Sequence, residues 1–341
     1  MPGKNLNAGT GASGKKRLFI HAGTYKTGTS HFQHVMFENR EKMLEEGFYY
    51  PVTGLGLNTP HNKYAHRLAA INLAQHGKNA FPKIVENLVK DERLHTAYMS
   101  YEGFAHPNNI EHIAKIMDCF EPVELHTILV FRPHFDFQIS LYREICQHVK
   151  YSENIETYLQ SSNGWGRTFH YADSIKMWEN LIGPDNLHVM SYSTIKKDLF
   201  HALLTPTGYQ PDLKEPAETT SNPTISAPAC AVARRLNKFN LKTHLRHRVG
   251  RALVRLDAKN PHFHEYGEIT REAALEIEQN FQEDRERLAT YGLDPNDFVI
   301  GENWRWGKKQ LNQKIVDEAF VKFICLLKNE KRNVILNAIT A

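Results

Sequence analysis

Two periods of apolar residues run along this chain. Short continuous apolar runs at Leu18–Ile20, Thr96–Tyr101, Val123–Phe131 and Leu187–Met190 have the length and composition of strands buried on both faces. Elsewhere the apolar positions recur every three to four residues, the period of a helix packed on one side. Phe32, Val35, Met36 and Met43 form one such stripe, interrupted by Asn39. Phe135, Ile139, Tyr142, Ile145 and Val149 form another, predicting a helix from about Pro133 to Val149. Further helices are expected at His61–Gln75, Phe81–Arg93, near 228–244, 269–290 and 310–328. Strands alternating with helices predict an α/β fold, a central parallel sheet flanked by helices, with extra helices at the C-terminal end. The expected layout is a disordered tail over 1–16, one main domain over 17–310 with a helical insertion at about 60–94, and a helical extension over 311–341. Pro206, Pro211, Pro216, Pro223 and Pro228 mark an irregular connection.

The first strand-to-helix turn holds the densest chemistry. It reads His21-Ala-Gly-Thr-Tyr-Lys-Thr-Gly-Thr-Ser30. Gly23 and Gly28 loosen the turn, and Thr29 or Ser30 starts the helix. Free backbone N–H groups and the positive end of the helix dipole would converge on one spot, a cradle for an anion. Lys26 adds a mobile charge there, and Thr27, Thr29 and Ser30 add hydroxyls. The order is not that of nucleotide-triphosphatase loops, which place lysine directly after the second glycine. Here Lys26 precedes Gly28 by two residues. In a parallel sheet the strand ends carrying Lys26, Glu102 and Arg132 would share one edge, where open α/β sheets bind ligands.

The run Lys26-Thr-Gly-Thr-Ser30 resembles the 5′-phosphosulfate loop of sulfotransferases that use 3′-phosphoadenosine 5′-phosphosulfate. Arg132 at a strand end, with Ser140 eight residues later, resembles the 3′-phosphate clamp of that family. Glu102, closing the strand before it, matches the family's general base in many bacterial and glycan-modifying members. The resemblance runs from Arg17 to about Tyr192, and Asn222-Pro-Thr-Ile-Ser226 resembles a short family segment. It implies a P-loop-like sheet and transfer of a sulfuryl group to an acceptor hydroxyl, by analogy that of a carbohydrate. The implied donor site is Gly23, Lys26, Thr27, Gly28, Thr29, Ser30, Arg132 and Ser140, with Lys26 and Glu102 catalytic and no metal. Plainer readings stand beside these. Thr29 could simply cap a tight turn, Arg132 could form a strand-end ion pair, and Ser140 could be solvated. Glu102 could be a cap, with His21 or His106 as the base. A kinase using ATP and magnesium, or a non-catalytic binder of anionic glycans, are the readings from other classes.

Composition changes this picture little. Hydrophobic residues at 41% and charged residues at 23% are ordinary for a globular enzyme. Cys119, Cys146, Cys230 and Cys325 lack C-x-x-C spacing and read as small buried hydrophobes in a reducing compartment. Close histidine pairs (His31/His34, His244/His247, His262/His264) come without the spacing of a metal motif. No apolar run is long enough for a membrane span, so a cytosolic location is expected, and no nucleic-acid partner. Charge distribution says more than the net value of +4. Residues 219–256 hold eight Lys/Arg and no Asp or Glu. That block either meets an anionic partner or is a solvated face answered by the acidic segment 265–286.

Overall fold

The continuous apolar runs become the strands of one parallel sheet. A computed structural model of the chain describes residues 14–25, 27–58, 63–76, 79–148, 151–160, 169–214, 224–239, 243–300, 307–327 and 332–333. In chain order come β1 (Lys16–Gly23), α1 (Thr29–Glu38), α2 (Arg40–Glu45), β2 (Phe48–Tyr49), α3 (Arg67–His76), α4 (Phe81–Lys90), β3 (Thr96–Ser100) and α5 (Pro107–Ala114). Next are β4 (Val123–Phe131), α6 (His134–His148), α7 (Ile155–Gln160), α8 (Tyr171–Ile182), β5 (Leu187–Ser191), α9 (Tyr192–Ile195) and α10 (Leu199–Leu204). The remainder is α11 (Ala227–Asn237), α12 (Thr243–Lys259), β6 (Tyr266–Gly267), α13 (Arg271–Gln279), α14 (Gln282–Ala289), β7 (Lys309–Gln310) and α15 (Gln313–Leu326).

The helix expected over His61–Gln75 starts at Arg67, after turns over 63–66, and three other expected helices are each two in the structure. The stripe through Met43 is two helices, because the Asn39 side chain takes over helical bonding. Its amide donates to Val35 O at 2.8 Å and to Lys214 O at 2.9 Å, and its oxygen accepts Lys214 N at 3.0 Å. The single helix expected near 228–244 is α11 and the start of α12, with 240–242 outside the described residues. The one expected over 269–290 breaks at Asn280, a poor helix former, into α13 and α14.

The chain divides into two compact units: residues 1–133, 166–221 and 283–298, and residues 134–165, 222–282 and 299–341. The first contains the five-stranded sheet, in the order β2-β3-β1-β4-β5, with every pairing parallel. On one face Phe19, Tyr98, Ile128 and Val130 pack against Phe32 and Met36 of α1, Met43 of α2, and Leu203 and Leu204 of α10. Leu18, Ile20, Ala97, Met99 and Leu129 alternate with these and are equally buried, so both faces are covered, as all-parallel sheets require. Helices α4 and α8 lie against β1 and β4. Each large side chain so buried contributes about 1.5–3 kcal/mol by leaving water.

The second unit is a helical core. Phe135, Ile139 and Tyr142 of α6 meet Val232 and Leu236 of α11, Leu253 and Leu256 of α12, and Phe323 of α15. Buried inside it, Arg143 binds Glu268 at 3.1 Å, and Asp257 accepts both the N–H and the hydroxyl of Ser226 at 2.6 Å. Burial pushes the Asp257 carboxyl above its usual range, and the Ser226 bonds oppose that shift. Cys146 and Cys230 are buried free thiols, but Cys119 is only half-buried and Cys325 is exposed, which corrects the expectation of four buried cysteines. Among the described residues no helix is long and apolar enough to cross a membrane, and no group of three or more potential ligands could hold a metal ion.

Candidate functional site

Parallel pairing places the chemistry of the first unit at the carboxyl ends of three neighbouring strands. β1 lies between β3 and β4, with His21 opposite Ser100 and Gly23 opposite Val130. The ladder continues one step beyond each strand: Tyr101 N donates to His21 O at 3.1 Å, and Thr24 N donates to Val130 O at 2.9 Å. The β1–α1 turn, Glu102 and Arg132 therefore leave the sheet along one edge.

The turn is shaped by its glycines. Gly23 has φ 147°, and a Cβ there would lie 2.2 Å from Val130 O. Gly28 has φ 78°, left-handed, and forms the N-cap of α1 without any side-chain cap bond. The first turn of α1 carries no acidic residue, so its positive end is not answered from within the helix. Lys26 itself lies outside the described residues. Thr27 is buried, and its hydroxyl donates back to Thr24 O at 3.1 Å, tying the turn together. Thr24 Oγ1 is buried and has no hydrogen-bond partner among the described residues. Ser30 is half-buried in the first helical turn.

Glu102 is 5% exposed and docks on α1. Its Oε1 accepts the Thr29 hydroxyl and, at 3.3 Å, the Gln33 side-chain amide. The same amide donates to Ser100 Oγ at 3.1 Å, and Ser100 Oγ lies 2.8 Å from His21 Nδ1. Ser100 N in turn donates to His66 Nδ1 at 3.0 Å, which leaves the proton on Nε2 to bond Pro51 O at 2.9 Å. Helix α1, strand β3 and the segment before α3 are thus stitched together around one carboxylate. The Thr29 hydroxyl proton is spent on Glu102 and the Thr27 proton on Thr24, so among the described residues of the turn the backbone N–H groups, the Thr24 hydroxyl and Ser30 remain as donors.

The alternative bases are held differently. Burial pushes the His21 imidazole down to about 3, and Nε2 has no hydrogen-bond partner among the described residues. His106 is the N-cap of α5, its ring nitrogen accepting Asn108 N at 3.2 Å.

Arg132 is 2% exposed, and its guanidinium sits 5.9 Å from the Tyr192 ring centre. A Cβ placed on Gly28 would lie 4.0 Å from the Tyr192 hydroxyl and 3.4 Å from Leu199. One tyrosine thus spans the distance between the buried arginine and the cap of α1. Ser140 belongs to the second unit, where it is 1% exposed on α6, which excludes the reading as a solvated residue.

Gln33, Ser100 and His66 were not legible as parts of this site, and Tyr192 was legible only as a strand end. One signal existed: Thr29 and Gln33 are four residues apart, on one face of a helix. The cross-strand partners carry no such local sign.

Two buried neutral histidines give the site a pH signature. Burial lowers His66 to about 4 and His21 to about 3, against an ordinary value of 6.5. Between pH 6.5 and about 4 the unfolded chain binds protons that the folded one does not, so stability falls as pH falls. The two together cost up to about 2.7 kcal/mol per pH unit in that window. Urea unfolding at pH 7.5, 6 and 5 should show the midpoint flat to 6.5 and dropping below it.

Comparison with known proteins gives one structural likeness. The crystal structure of a sulfotransferase from Alicyclobacillus acidocaldarius is 12% identical, covers 60% of this chain and 86% of that one, and superposes with a TM-score of 0.38. No protein-family model matches the chain, and no curated protein sequence matches it.

Proposed function

We propose that this chain transfers a sulfuryl group from 3′-phosphoadenosine 5′-phosphosulfate to an acceptor hydroxyl, that of a saccharide. The observation carrying this reading is the shared strand-end edge. An uncapped helix N-terminus, a buried carboxylate and a buried guanidinium leave three adjacent strands together. A donor with phosphate groups at two ends needs two separate cationic grips, and the cradle and Arg132 are two such grips. The orphaned, buried Thr24 hydroxyl fits an anionic oxygen at the turn.

The donor supplies an activated sulfur with a phosphate leaving group; the rest is done by the chain. Glu102 takes the acceptor's proton as its oxygen bonds to sulfur. The Thr29 hydroxyl and the Gln33 amide, both on Oε1, hold the carboxylate in place for this role. As the bond from sulfur to the 5′-phosphate oxygen breaks, charge builds on that oxygen. Lys26 and the backbone N–H groups of the turn stabilise it electrostatically. Arg132 offers a planar donor fork to the 3′-phosphate.

Calorimetry with 3′,5′-diphosphoadenosine tests the reading. Binding is expected without magnesium and in preference to ATP. Arg132→Ala should weaken it about 10- to 100-fold, the value of charge-assisted hydrogen bonds to a phosphate. Preference for magnesium–ATP would overturn the proposal in favour of phosphoryl transfer.

A further inference from the structure

Four acids of the segment that follows the basic block at 219–256 are bonded outside that block. Glu265 pairs with Lys309 at 2.6 Å, Glu268 with Arg143, and Glu278 accepts Ile300 N at 2.9 Å. In the other unit, Asp284 accepts Tyr171 N and Ala172 N, at the start of α8. These acids hold other parts of the fold. The block itself also divides. On α11, Arg235 packs over Phe320 and lies 3.8 Å from Asp317, so it is used internally. On α12, Arg248, Arg251 and Arg255 are exposed, and so is Lys259, just beyond the block. None of these four has an ion pair among the described residues.

Helical geometry puts the four in a row. At 3.6 residues per turn they fall within an arc of about 80° and span about 16 Å along the axis. The opposite face of α12 is the packed one, with Val249, Ala252, Leu253 and Leu256 buried. The helix's one acid, Asp257, is buried against Ser226 and does not offset the row. Spacings of three and four between like charges repel, and the first turn of α12 carries no acid to suit the helix dipole. Only Lys259, in the last turn of α12, suits the helix dipole, and the positive field of the row is directed at solvent.

We propose that the outer face of α12 binds a linear polyanion, an acidic polysaccharide bearing carboxylate or sulfate groups. Three of the four cations are arginine, whose fork grips such groups bidentately, whereas a lysine offers only a point charge. The exposed large apolar residues, Val52, Val89 and Val321, are not on α12, so the row lacks the apolar flank with which a surface helix enters a lipid interface. The inference concerns binding alone and does not depend on the transferase reading.

The test is retention on immobilised heparin and on immobilised polygalacturonate under a salt gradient. The variant R248Q/R251Q/R255Q is compared with a charge-matched control, K83Q/K90Q/K176Q, whose exposed lysines are already paired. Glutamine keeps helix propensity near that of arginine, so α12 should persist, and circular dichroism checks it. The single Arg251→Gln variant, mid-row, gives a smaller shift of the same kind and covers the case of a misfolded triple. Wild type and control should elute together at high salt. The triple variant should elute much earlier, with the salt slope of its affinity reduced by about three ions. Co-elution of the triple variant with the control would overturn the proposal. So would wild-type binding to vesicles of anionic lipid or to duplex RNA with none to either polysaccharide.

Discussion

Glu102→Gln should bind 3′,5′-diphosphoadenosine as the wild type does and transfer sulfuryl groups at least about a hundredfold more slowly. Glutamine has the same shape, and its oxygen can still accept the Thr29 hydroxyl and the Gln33 amide that hold Oε1. The stitching between α1 and β3 therefore survives. What is lost is a proton acceptor, a contribution of about 10²- to 10⁴-fold in general-base catalysis. Single-turnover transfer from radiolabelled donor, run beside calorimetry, separates the two effects. Lys26→Ala should lose a comparable or larger factor through the leaving oxygen, without removing the base from the pH profile. Gln33→Glu supplies a finer check. A second carboxylate against Oε1 would raise the Glu102 pKa, moving the acid limb of the pH–rate profile upward. A Glu102→Gln enzyme at full rate would reject this base. His21 would not inherit the role readily, since burial keeps it neutral to about pH 3 and its Nδ1 is tied to Ser100. His106 would be examined next.

The strands were legible because a buried parallel strand is a continuous apolar run, and four such runs appear where β1, β3, β4 and β5 lie. Strand β2, two residues at Phe48–Tyr49, was not, since two residues carry no period. Helix ends were less legible than helices. Whether Asn39 interrupts a stripe or ends a helix depends on Lys214, 175 residues away, which completes its bonding. The strand-end positions of Glu102 and Arg132 followed from the pattern, but their surroundings did not. Nothing local tells that Ser100 turns its hydroxyl to His21 and Gln33, or that Tyr192 lies beside Arg132. Such contacts are set by sheet register and by the path of distant segments. The charge block was visible as composition. Its division into an internally used Arg235 on α11 and an exposed row on α12 required knowing which faces are packed.

Gly23→Ala should be the most damaging small substitution at the turn, destabilising the chain by about 3 kcal/mol or more. Two costs add. At φ 147° a Cβ is strained in any surroundings, by about 1–3 kcal/mol. That Cβ would also sit 2.2 Å from Val130 O, and overpacking against a fixed neighbour costs about another 1–3 kcal/mol. The neighbour is backbone, so no rotamer change can relieve it, and it is the oxygen that accepts Thr24 N at 2.9 Å. Making room for a methyl group there means breaking the bond that sets the turn's departure from the sheet. Donor affinity should fall together with the urea midpoint, even well below the unfolding transition. Gly28→Ala is the control. It meets nothing closer than Leu199 at 3.4 Å, so it should cost only the left-handed backbone penalty of about 1–2 kcal/mol. Equal midpoints for the two variants would show that the β1–β4 exit is not rigid, and the cradle would then have no fixed relation to Arg132.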